Sequence, residues 1–395
     1  MYKWPNKVKQ IVEGVLQATN PVCYLEQYIN NICARDITFL LFDGNQVTGF
    51  KDISHKFCEH KYNIVNLGCY EKTAVVNTSI LSEKQEILPI RAKYLINLDS
   101  NIASFLPQII KKRDIENGFF NFLQYVKINN LNLNLLPYVL EDSLNSTGMR
   151  NSARAYECLL SFFTFDRISA QELEALPCIP NADDYCCADN AWSQMRHSRF
   201  YEREDEKRVR GIYCFLLKVY IIQFQSNRSP QNKIIELIDF INDELGVYFE
   251  FGMLLAYWYF DKSYECVTQF FQKVQPKSKN KLKNIEGMAW DLFHLWDIPT
   301  EMAILTQRDN AVVLQGLATH DDALAKIAEL NPVTRIAFYA GEAQVKYAFS
   351  IKDILAGNLG IESIINMKAK REQLCATVDL IQLSRDLETK LLEIF

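Results

Sequence analysis

The chain has 395 residues, 49% of them hydrophobic and 23% charged, and a formal net charge of −5. That composition supports a sizeable core and excludes a disordered chain, and the length predicts two or three domains. An acidic total, with a pI of about 5.7, argues against bulk nucleic-acid binding and leaves it to local basic patches.

The eleven cysteines are odd in number and scattered. The opening "MYKWPNKVKQIVEGVLQ" lacks an apolar secretory region. Together these predict a reducing, cytoplasmic setting and no disulfide scaffold. The apolar run "YCFLLKVYIIQF" (213–224) is interrupted by Lys218 and is too short to span a bilayer, so no membrane association is expected.

In chain order, residues 7–34 read as helices with a break at "TNP". "ITFLLFDGNQVTGF" (37–50) reads as two strands joined by a glycine-containing turn, a hairpin signal. "YNIVNLGCY" and "TAVVNTSIL" add strand-like runs, so residues 1–90 are expected to form a small mixed α/β domain. "RAKYLINLDSN" (91–101) opens a new unit as a strand, and helical spacing follows it. Residues 150–272 read as mostly helical, and the aromatic-rich stretch 249–271 as core. "KVQPKSKNKLKN" (273–284) is a lysine-rich loop. "IEGMAWDLFHLWDIPTEMAILTQRD" reads as a helix, a stop at Pro299, a strand "MAILT" and a polar turn. The tail reads as helical. These elements predict three regions: 1–90, then 91–320 with a helical insertion at about 146–284, then a helical 321–395.

Three acids occupy comparable places. Asp99 ends an apolar strand, Asp309 follows the strand read at "MAILT", and Asp291 opens the helix before it. Glu141 lies 42 residues beyond Asp99, with Asp142 and Glu157 as competing second acids. Ligands of a parallel sheet bind where strand ends share a crevice. Carboxylates gathered there repel one another unless a cation sits among them. Oxygen donors favour Mg²⁺ or Mn²⁺, which promote phosphodiester cleavage.

"LDSN", an acid some forty residues on, "WDLFHL" and "AILTQRD" together resemble a PIN-like nuclease domain. The resemblance covers about 91–145 and 285–315. It implies a parallel sheet flanked by helices and metal-dependent cleavage of RNA, less often DNA. Asp99, Glu141, Asp291 and Asp309 would be catalytic and metal-binding, with Ser100 and Thr306 as auxiliary contacts. It also implies a toxin or defence effector held in check by a regulatory protein. Two features depart from the pattern. The gap from Glu141 to Asp291 is long, and Thr306 stands three residues before Asp309 instead of the commoner two.

His294, one turn after Asp291, would face the same side and contact substrate, or else pack. Lys279 and Lys281 in the loop would guide a phosphate backbone, or else be solvated. Cys178, Cys186 and Cys187 match no usual zinc spacing, and His55, Cys58, His60 and Cys69 match it little better. No phosphate-binding loop, dinucleotide fingerprint, nucleophile elbow or HExxH motif is present. The opposing expectations are a helical interaction or adaptor protein, in which the acids are caps and turns, and a PIN-like scaffold without catalysis.

Overall fold

The computed structural model describes residues 6–32, 36–44, 49–57, 62–78, 91–135, 138–139, 141, 152–197, 199–309, 311–339, 342–355 and 367–394. It is an α/β protein whose contacts separate two compact units. The first comprises residues 1–137, 161–180 and 297–348; the second comprises 138–160, 181–296 and 349–395.

The first unit holds two sheets. In the first, the order is β4 (Ala74–Asn77), β1 (Thr38–Leu41), β8 (Val333–Tyr339) and β9 (Glu342–Tyr347), all antiparallel. The β1 neighbours are β4 and β8, so the pairing expected within 37–50 does not account for β1. The registers Thr38↔Asn77 and Thr38↔Phe338 fix it instead. Strands β8 and β9 lie in the tail read as helical. Because β1 pairs with β8, residues 38–41 and 333–339, expected in different regions, share one sheet.

Two helices, Asn6–Gln17 and Pro21–Ile32, cover this sheet. Val8, Ile11, Val12, Val15 and Leu16 recur at helical spacing and pack on Phe39, Leu41 and Ala337. Arg335 on β8 ties the first helix down. Its Nη1 donates to the carbonyls of Val15, Leu16 and Ala18 at 3.1, 3.0 and 2.7 Å, and its Nε and Nη2 reach Asp43 at 2.9 and 2.7 Å. These carbonyls end the helix without intrahelical donors, so one buried guanidinium satisfies the C-terminus.

The second sheet has the order β2 (His55–Phe57), β3 (Tyr62–Asn66), β7 (Val312–Thr319), β5 (Ala92–Leu98) and β6 (Asn132–Asn134). β2, β3 and β7 are antiparallel neighbours, while β7, β5 and β6 are parallel. The expected all-parallel sheet is therefore corrected to a mixed one, with parallel pairing confined to three strands. β7 is buried along its whole length, as a central strand requires.

The segment "MAILT" is not a strand. Residues Lys281–Asp309 form one helix with Pro299 inside it. Ile298, Pro299, Met302, Ala303 and Thr306 are buried while Ile304, Gln307 and Arg308 are exposed, a period of three to four. Burial of that stripe outweighs the hydrogen bond that proline removes.

The second unit is helical. Helix Arg199–Gln225 packs on Leu380–Ile394, with Tyr213 donating to Glu388 at 2.9 Å. Tyr259 stacks on Phe271 at 4.3 Å, and Tyr220 donates to the Phe271 carbonyl at 2.8 Å. The aromatic stretch 249–271 is core: Met253, Leu254, Trp258, Phe270 and Phe271 are buried. Among the described residues no helix is long and apolar enough to cross a membrane.

Candidate functional site at the C-terminal edge of β5 and β7

Asp99 follows β5 directly and is 3% exposed. Its backbone amide donates to Ala318 at 3.0 Å, extending the parallel ladder by one rung. Its carbonyl begins the short helix Ser100–Ala103, but its carboxylate makes no capping bond. The carboxylate accepts from Thr319 Oγ1 at 2.7 Å, Asn101 Nδ2 at 3.1 Å and Ser100 Oγ at 3.4 Å. All three donors are neutral, so these bonds orient the buried carboxyl group without pairing it with a cation.

Thr319 ends β7, and its hydroxyl also accepts the Asp321 amide at 3.0 Å. Asp321 Oδ1 caps the helix Asp322–Leu330 through the amides of Ala323 and Leu324 at 2.9 and 3.1 Å. Asp322 accepts from Asn63 Nδ2 at 2.9 Å. A parallel edge thus presents Asp99, Asp321 and Asp322.

A polar ladder on one sheet face leads to this edge. Asn134 donates to Asn97 at 2.7 Å, and Asn97 donates to Gln315 at 2.8 Å. Asn97 and Asp99, two residues apart on β5, share that face, as do Gln315 and Thr319 on β7.

The residues 297–309 of the long helix cover the same face. Asn134 Nδ2 reaches Glu301 at 3.4 Å, and Lys93 Nζ reaches Asp309 at 2.9 Å. This segment therefore runs antiparallel to β5. Glu301 to Asp309 spans about 12 Å of helix and Lys93 to Asn97 about 13 Å of strand, which agree. Asp297 stands one turn before Glu301 on this helix and is half-buried.

The expected four-acid centre is not assembled. Asp309 sits at the opposite end of the strands from Asp99, about 20 Å away by strand rise between Lys93 and Asp99. Its carboxylate is held down to about 2, first by the Arg308 guanidinium at 2.8 Å and then by Lys93. Thr306 is buried. It donates to the Met302 carbonyl at 2.7 Å and accepts the Val313 amide at 3.0 Å, fastening the helix to the start of β7.

Asp291 lies within a helix and does not open one. In the second unit it is ion-paired with Lys273 at 3.2 Å. His294 is 5% exposed, its Nε2 has no hydrogen-bond partner, and burial pushes it down to about 3. It stacks on Trp290 at 5.7 Å and is a packing residue. Glu141 and Glu157 are half-buried in the second unit, and Asp142 lies outside the described residues. Lys279 is exposed in the loop before the long helix, and Lys281 is half-buried and opens that helix.

Of the predicted residues that belong to the first unit, Asp99 and Ser100 lie at this edge, while Thr306 and Asp309 do not. Thr319, which orients Asp99, and Asp321, whose amide donates to the same hydroxyl, lie there too and are not among the expected residues. The available signal was the continuous buried run "VVLQGLAT" followed by "HDD", where a threonine stands two residues before an acid.

Among the described residues, no three His, Cys, Asp or Glu side chains form a group able to hold a metal, and the cysteines make no disulfide. Cys178 is buried in the first unit, Cys186 and Cys187 are exposed in the second, and Cys58 and His60 lie outside the described residues. His55 stacks on Tyr125 at 4.4 Å, and Cys69 is exposed. No protein-family model matches the chain, and no curated protein or solved structure is similar to it.

Proposed function

We propose that the first unit is a metal-dependent nuclease acting on RNA before DNA, with a PIN-like arrangement limited to its three parallel strands. The acids assigned are Asp99, Asp297 and Asp321, with Glu301 beside them. One observation carries the reading: a buried carboxylate at the end of the central parallel strand, aimed by a hydroxyl from the next strand, on a sheet face that Glu301 also reaches through Asn134.

The donors are all oxygens, which suits a hard cation. Mg²⁺ is commonly held by one or two carboxylates together with substrate phosphates and needs no complete protein cage. Asp99 and Asp297 would hold it, with Asp321 as the third acid proposed. A divalent cation there would polarise a phosphodiester oxygen and lower the pKa of a water. Thr319 and Asn101 keep the Asp99 carboxylate in one orientation, so no reorganisation accompanies substrate binding.

The test is thermal melting with Mn²⁺ against chelator, alongside cleavage of a labelled single-stranded RNA. A ligand of the folded state raises its stability. Wild type should melt higher with Mn²⁺ and cut the RNA, and Asp99→Asn should do neither. Wild type that neither shifts nor cuts would remove the reading. The two capping bonds of Asp321 favour a second reading, an interaction protein whose acids are structural. There Asp321→Ala would lose stability and no variant would change a metal response.

A further inference from the structure

The loops leaving β5 and β7 each deliver an acid and an aromatic ring. Asp99 is followed by Phe105, and His320 stands between Thr319 and Asp321. The rings of Phe105 and His320 meet at a centroid distance of 6.3 Å and an angle of 68°. Both are partly exposed, whereas Tyr62, Phe119 and Phe122 beneath them are fully buried. Tyr62 lies 4.6 Å from His320 and 6.4 Å from Phe105, and Phe119 lies 5.7 Å from Phe105. Tyr62 is fixed in turn by its hydroxyl, which donates to Glu116 at 3.2 Å. The upper two rings therefore rest on a rigid aromatic floor.

Alternation along β7 places Thr319 and His320 on opposite faces. A chain touching both must cross the end of the sheet, with a phosphate on the Asp99 side and its neighbouring base on the His320 side. Unpaired bases stack on such rings, and every base offers a π-face. Bases inside a duplex are already stacked on each other and cannot present theirs.

We infer that Phe105 and His320 form a stacking platform for an unpaired nucleobase beside the acids, which makes single-stranded nucleic acid the substrate class. This rests on the reading of the edge as a phosphodiester-cleaving centre, and it assigns these two residues to specificity and not to bond cleavage.

The test is equilibrium binding of the full chain, in chelator so that nothing is cut. One probe is a short fluorescein-labelled oligouridylate, and the other is the same sugar–phosphate chain without bases. Wild type should prefer the base-bearing probe. Phe105→Leu and His320→Leu, which keep apolar volume, should each reduce that preference by about 5- to 150-fold. His320→Phe should keep it. Equal binding of the two probes by wild type, unchanged preference in both leucine variants, or loss in His320→Phe would overturn the inference.

Melting of the same proteins with Mn²⁺ separates the two ideas. A metal response without base preference leaves the centre standing and removes the platform. Base preference without a metal response does the reverse.

Discussion

Thr319 Oγ1 donates to Asp99 Oδ2 over 2.7 Å and joins the ends of two parallel strands that are 220 residues apart in sequence. The same hydroxyl accepts the Asp321 amide, so one side chain sets both acids. Thr319→Val keeps the shape and removes the donor. It should cost about 1–3 kcal/mol, because a buried carboxylate loses a charge-assisted bond. Urea unfolding measures this, and a cost near zero would mean that the hydroxyl does not fix Asp99.

The reassigned acids separate from the original ones by substitution. Asp297→Asn should lose the Mn²⁺-dependent melting shift. Asp321→Asn should lose it too while keeping its helix cap, since asparagine caps as well as aspartate. Asp309→Asn and Asp291→Asn should retain it. Loss of the response in the latter pair alone would restore the original set.

Asp309 and its partners give a pH signature. Its folded-state carboxyl is held at about 2 by Arg308 and Lys93, below about 3.9 in an unfolded chain. A depressed carboxyl stabilises above the unfolded value, and that contribution fades as pH falls from about 4 to 2. Arg308 and Lys93 are 68% and 51% exposed, so solvent screens the pairs. Asp309→Asn should therefore cost less than about 1 kcal/mol at neutral pH. The difference from wild type should close in acid and shrink with salt.

His294 behaves oppositely to a paired histidine. Burial pushes it to about 3, while the unfolded chain titrates near about 6.5. The unfolded state therefore takes up the proton first, and stability falls as pH drops below about 6.5, levelling only near 3. His294→Leu should flatten that slope, and its orphaned Nε2 means that little is lost at pH 8. Denaturant melts from pH 8 to 4 test it, and an unchanged slope would contradict it.

Arg335 offers a structural control remote from the acids. Arg335→Met should cost on the order of 3 kcal/mol, since it strips three helix-end carbonyls and Asp43 of their donor. Arg335→Lys should recover only part of this, because an ammonium lacks the planar fork. Full recovery by lysine would show that charge alone matters there.

The strand ending in Asp99 was legible because "KYLINL" is apolar and stops at a polar turn. The strand that completes the edge was not. Pro299 looks like a helix stop and "MAILT" like a strand, which masks the strand "VVLQGLAT" that follows. The difference is that Met302, Ala303 and Thr306 bury a helical stripe, while Val312–Thr319 are buried on both faces. The β1–β8 and β3–β7 pairings were equally hidden, since they join segments some 250–300 residues apart in sequence.

That separation sets the order in which the molecule can be made. On the ribosome, β1 and β3 emerge early, but β8 and β7 come from residues 333–339 and 312–319. Neither sheet can close until most of the chain has been synthesised, whereas the cluster of Tyr220, Tyr259 and Phe271 forms from neighbouring segments. The nascent protein thus carries unpaired strand edges through most of its translation, an interval in which a chaperone has something to hold. Asp99 is made long before its partner Thr319, so the bond that orients its carboxylate cannot form on a nascent chain that has not reached the end of β7.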